Sequence, residues 1–281
     1  MTAAPDTYEL KGRELPKPAK LTQVIDSVTF SVALYFLVIG TIAYVAYAGA
    51  QSMGYAWQWY RVPQYFYTVT DEGFQIGEIL IGLGKTITLS VTAFALAMIL
   101  GLIIALLRLS NLVIGSKVAV GFLEIVRNVP LLVLLYLFYY VLGPIFGYDR
   151  YTASVLCLGV FHAALISEIF RAGINAVAKG QWEAAKSIGM SQSQSYRYIV
   201  LPQSIRFMLP PMTGEVVHMV KSSAIVSVIA VAELTTVGRN IISDTYMSFE
   251  IWFTVAVVYM VVTLILSIGV SQLEKRYEVA N

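Results

Sequence analysis

The stretch EVVHMVKSS, residues 215–223, sets ionisable side chains into an otherwise apolar region. Lys221 could attract a substrate carboxylate, or pair with Glu215, Glu233 or Glu168. An ionisable group held in apolar surroundings is expensive, and marks a functional site by default. Pro210 and Pro211 lie just upstream and predict a helix break, which would leave backbone groups facing protein or water. Residues 208–224 are therefore the expected lining of a central cavity. The candidate pathway residues are Lys221, Ser222, Ser223, Glu168, Met212 and Glu215.

Other groups have quieter readings. Glu168 and Arg171 are three residues apart and predict a local ion pair. Glu124 and Arg127 share that spacing and read as structural. His162 is a lone histidine in an apolar run and reads as a satisfied structural residue. The segment GLGKT at 82–86 lacks the first glycine of a phosphate loop, since Ile79 stands there. Neither a catalytic residue, a metal site nor an ATP site is expected in this chain.

The elements that hold these groups follow from composition. The chain has 281 residues, 58% hydrophobic and 13% charged, with mean hydropathy +0.72. Soluble domains carry about 25% charged residues, so lipid is the natural solvent here. A net charge of +2 gives no reason to expect nucleic acid. The one cysteine, Cys157, excludes an internal disulfide and a cysteine-based metal site. The first 20 residues lack a signal peptide's apolar run and read as a disordered cytoplasmic tail.

A spanning helix needs about 20 mostly apolar residues. Six spans are expected: 27–50, 79–107, 128–148, 151–174, a broken or buried span within 206–235, and 251–273. With both termini inside, fourteen lysines and arginines lie on the cytoplasmic side and four (Arg61, Lys85, Arg150, Arg239) outside. Lys221 stays at membrane depth. That asymmetry sets the orientation and puts 174–205 in the cytoplasm. The external loop 51–78 carries Trp57, Trp59, Tyr60, Tyr65 and Tyr67, as an interfacial belt would.

The cytoplasmic loop is itself patterned. Residues 181–187 favour helix, and Gly189 can end that helix in a left-handed conformation. Ser191 can cap a second helix, with Gln194 three residues on. Pro202 is expected to end that helix or to lie just beyond it. A rigid helical hairpin on the inner membrane face suits docking; a partnerless amphipathic connector is the alternative.

The spacing in EAAKSIGMSQSQSYRYIVLP, 183–202, resembles the EAA loop of ABC-transporter permeases. EIVRNVPLLVLLYLFYY, SEIFRAGINAVAKGQWEAAKSIGMS, LPQSIRFMLPP and KSSAIVSVIAVAEL resemble segments of the polar amino-acid uptake branch. Leu165 stands where relatives carry tyrosine, and Ser222 where many carry an acidic residue. The resemblance implies an all-α integral membrane fold, six helices with a five-helix type I importer core. It divides the chain into a tail 1–25, an additional first helix and external loop 26–78, a permease domain 79–276 with its coupling loop at 174–205, and a C-terminal tail 277–281. It implies ATPase docking by Glu183, Ala184, Ala185, Gly189, Ile199, Leu201 and Pro202. The implied partners are two ABC ATPase subunits that bind ATP and magnesium, a second copy or homologous permease, and an extracytoplasmic amino-acid-binding protein. The implied substrate is a polar amino acid. An ion-coupled secondary transporter is the main rival, and internal inverted repeats would mark it. A membrane scaffold and an exporter half are further rivals.

Overall fold

The computed structural model describes residues 28–70, 73–110 and 112–278. The expected tail 1–25, with its four basic residues, lies outside the described residues, as do the side chains of Lys275 and Arg276. The chain forms two compact units, Met1–Trp57 and Gln58–Asn281.

The first unit contains α1 (Val28–Ser52), apolar on every face. Its 25 residues reach about 38 Å, enough to cross a bilayer. Thr41 returns its hydroxyl to the Leu37 carbonyl, so the hydroxyl needs no water.

The second unit begins with a short 3₁₀ turn, Trp59–Tyr65, and a two-stranded hairpin, β1 (Tyr67–Thr70) and β2 (Gly73–Ile76). Tyr67 pairs with Ile76 and Val69 with Phe74, and the Tyr67 and Phe74 rings stack diagonally. This hairpin lies inside the external loop, where the aromatic residues alone predict an interfacial belt. Helices follow: α2 (Glu78–Leu109), α3 (Val113–Asn128), α4 (Leu131–Phe146), α5 (Arg150–Asn175) and α6 (Lys179–Ser187). Then come α7 (Gln192–Ile229), α8 (Leu234–Thr245) and α9 (Ser248–Glu278).

Among the described residues, four helices are each long and apolar enough to span a membrane: α1, α2, α5 and α9. Counting the bent pairs α3–α4 and α7–α8 as single spans gives up to six. The α3–α4 bend of 106° falls at Val129–Pro130. Proline restricts the residue before it to extended backbone, so α3 must end there. GLGKT lies inside α2 as ordinary helix, with no loop to hold a phosphate.

The core is built on α2 against α5. Leu89, Ala93, Ala97, Gly101 and Ala105 repeat every fourth residue and are all buried. A Cβ on Gly101 would lie 2.8 Å from Ile166 Cγ2, and one on Gly159 would lie 2.6 Å from Leu96 Cδ2. Small residues at this spacing let two helix backbones approach in lipid, where dispersion rather than water drives association.

Two expected breaks are absent. α7 runs helical through Pro210 and Pro211, which sit inside its α-helical part Leu201–Ser222. Each proline removes one bond, to the carbonyls of Arg206 and Phe207, but α7 packs against α5 through buried Ser204 and Met208, and neighbouring helices hold such a segment straight. Pro202 does not end a helix either. The chain widens into a π-helical turn at Tyr196–Val200, and Pro202 enters the first turn of the α-helical part. A first-turn proline needs no donor. The actual break comes later: α7 tightens to 3₁₀ over Ser223–Ile229, Ala230 turns left-handed at φ 55°, and α8 departs at 46°.

Candidate functional site

The hairpin at 179–200 is determined by its backbone chemistry. Gly189 adopts φ +78°, and α6 closes with Met190 N–H on Ala185 O and Gly189 N–H on Lys186 O. This is the Schellman pattern, and glycine is the residue that takes its left-handed position without strain. Ser191 then caps the next turn. The Gln194 amide donates to Ser191 Oγ, and the Ser191 amide donates to Gln194 Oε1. Trp182 and Tyr196 meet edge to face across the turn. They pack beside Ile174, Val177, Val200 and Met208.

The hairpin therefore divides the expected docking residues. Glu183, Ala184, Gly189, Leu201 and Pro202 are exposed. Ala185 is fully buried and Ile199 half-buried, so these two belong to the scaffold beneath the surface. Glu183 makes no ion pair among the described residues.

The expected pathway residues do not converge on one point. α5 and α7 run antiparallel, with His162 opposite Glu215 and Gly173 against Ser204 and Met208. Glu168 and Lys221 lie on opposite sides of the His162–Glu215 contact, each about 9 Å along its helix. Lys221 is exposed and pairs with no carboxylate among the described residues. None of the three expected partnerships forms. Glu168 is too far along. Glu215 is six residues back on α7, off the lysine's face, and is held by imidazoles. Glu233 is held by the α8 N-terminus.

Glu168 gathers three guanidinium groups. Arg171 binds its Oε2 through Nε at 3.0 Å and Nη2 at 2.8 Å, confirming the local pair. Arg108 from α2 binds Oε1, and Arg127 from α3 approaches that oxygen at 3.9 Å. Arg127 therefore faces Glu168, whereas Glu124 bonds Asn128. This knot joins three elements and leaves a local excess of positive charge.

Glu215 is bonded by two histidines. His162 Nδ1 lies 2.6 Å from Glu215 Oε1, and His218 Nδ1 lies 3.3 Å from the same oxygen. The two rings are 5.1 Å apart. His162 is thus no isolated histidine. The Glu215–His218 spacing of three was a legible signal, but a partner 53 residues away was not.

Met212 packs, half-buried, on the main core. Ser222 is half-buried, while Ser223 is buried and returns its hydroxyl to Val220 O. Glu233 is wholly buried and accepts from Thr235 N, Thr236 N, Thr236 Oγ1 and Tyr259 OH. A carboxylate at a helix N-terminus satisfies orphan amides and the positive end of the helix dipole.

These features define a multi-span helical membrane protein with a polar helical hairpin between two apolar helices. The profile of binding-protein-dependent transport system inner membrane components matches residues 97–279, and the chain belongs to that family. It is 37% identical over 199 residues to the probable glutamine ABC transporter permease protein GlnM of Bacillus subtilis (strain 168), covering 70% of this chain and 92% of that protein. The crystal structure of an amino acid ABC transporter with histidines is 40% identical, with TM-score 0.66, over 71% of this chain and 94% of that one. A chain of the inward-facing MetNI methionine ABC transporter, 18% identical over 71% of this chain and 96% of its own, shares the fold at TM-score 0.63.

Proposed function

We propose that this chain is the permease subunit of an ATP-driven importer of polar amino acids. It forms half of a translocation pathway in the cytoplasmic membrane, with both termini inside. The other half is a second copy or a homologous permease. The similarity to amino-acid and glutamine transporter permeases supports the substrate class.

The observation that carries the docking role is the hairpin at 179–200. Its turn is held by a Schellman motif, a capping box and an aromatic pair, while Glu183 and Ala184 stay exposed. A rigid, exposed helix end transmits motion where a floppy connector would absorb it. Two ATPase subunits bind these hairpins, and they, not this chain, hold ATP and magnesium. An extracytoplasmic binding protein delivers the amino acid. The chain itself carries out no bond chemistry.

The test is a cross-link. Ile188 is 75% exposed at the hairpin tip, and a cysteine there should capture a P-loop ATPase in native membranes. Capture of that ATPase supports the reading. A chain that stays alone after cross-linking overturns it.

A further inference from the structure

The bonds around Glu215 bring three metal-ligating side chains to one place. His162 is fully buried and turns its Nδ1 toward the carboxylate. Its Nε2, on the other side of the ring, has no hydrogen-bond partner and takes no part in the cluster. Glu215 and His218 sit three apart on α7, a Glu-x-x-His spacing that aims both side chains at one point. His162 supplies a third group from α5.

We propose that His162, Glu215 and His218 form a binding site for a first-row divalent transition cation of the zinc class. One ligand atom from each residue lies within 4.8 Å of the others. Zinc sets its nitrogen and oxygen ligands at about 2.0–2.2 Å, so tetrahedral neighbours stand about 3.4 Å apart. To reach that spacing Glu215 Oε1 withdraws from His162 Nδ1, now 2.6 Å away, and the His218 ring, 49% exposed, turns in. His162, fully buried, stays in place. Two imidazoles with one carboxylate suit zinc, cobalt or nickel and exclude calcium and magnesium, which prefer oxygen. Three protein ligands leave a position open on the exposed side of His218, as in sites that bind a further ligand. An occupied site pins α5 to α7.

The test uses the full-length chain in detergent, purified with a histidine-free tag and stripped with chelator. Cobalt(II) is added and excess removed by desalting. About one equivalent per chain is expected to remain, with visible d–d absorption. His218→Gln is expected to weaken retention by more than about tenfold, since even outer-sphere changes cost that much. His218→Cys is expected to keep the metal and add a thiolate-to-cobalt absorption band. Calcium is expected not to be retained. Failure of the wild-type chain to retain cobalt overturns the site. Retention at the wild-type level by both His162→Gln and His218→Gln also overturns it, because the metal then lies elsewhere. None of these readouts depends on transport or on an ATPase, so the proposed function stands or falls separately.

Discussion

Trp182 and Tyr196 stand edge to face, ring centroids 4.9 Å apart at 83°, on opposite arms of the turn at Gly189. The contact is set by the helix ends rather than by the rings. α6 stops where the left-handed glycine forces it to, and the next turn starts where Ser191 caps it. Two aromatic side chains on the facing arms are thereby brought within reach of one another.

Gly189→Pro is expected to abolish uptake while leaving membrane insertion intact, because proline cannot adopt φ +78°. Gly189→Asn is expected to retain most uptake, since asparagine tolerates the left-handed region. Radiolabelled amino-acid uptake in vesicles, alongside chain abundance in the membrane, reads both. Normal uptake by the proline variant would remove the hairpin from coupling.

Gly101→Val is expected to destabilise the α2–α5 contact, since even a Cβ falls 2.8 Å from Ile166 Cγ2. Overpacking of this kind costs about 1–3 kcal/mol. Gly121→Val is the control, because nothing lies within 4 Å of a Cβ there. Thermal denaturation in detergent should separate the two variants, and equal melting would refute the close approach.

Glu233→Ala is expected to loosen the start of α8 and leave Tyr259 without its carboxylate partner. Loss of a capping side chain costs about 1–2 kcal/mol. Amide exchange should accelerate at Thr235 and Thr236 and stay unchanged in α2. Unaltered exchange at both threonines would show that the cap contributes little.

Lys221→Met is expected to lower uptake or substrate-stimulated ATP hydrolysis without a loss of stability, because this lysine pairs with no carboxylate among the described residues. A kinetic comparison in reconstituted liposomes checks it. Unchanged kinetics would take Lys221 off the pathway.

What could be read in advance was local. The Gly189 turn, the Ser191–Gln194 box and the Glu168–Arg171 pair each lie within six residues of chain, and all three are present. The prolines misled because their cost is also local, while the packing that offsets it is not. Ser204 and Met208 hold α7 against a glycine 31 and 35 residues earlier. Arg108 and His162 find their carboxylates 60 and 53 residues away, which no periodicity reveals. The hairpin at 67–76 escaped because its aromatic residues read equally well as an interfacial belt.

The absence of a break at Pro210 and Pro211 has a mechanical consequence. From the Ser191 cap to Ile229 the chain is one rod of about 57 Å. The rod leads from the hairpin, through the Glu215 cluster, to the left-handed joint at Ala230. His218 lies about 18 Å from that joint, and the Ser191 end about 57 Å from it. A tilt of about 5° about that joint would sweep the Ser191 end sideways by about 5 Å and His218 by about 1.6 Å, with no change in any helical bond. α7 is thus a lever arm with its pivot at Ala230, and the fold needs no chain of side-chain relays to carry force from the hairpin to the middle of the molecule.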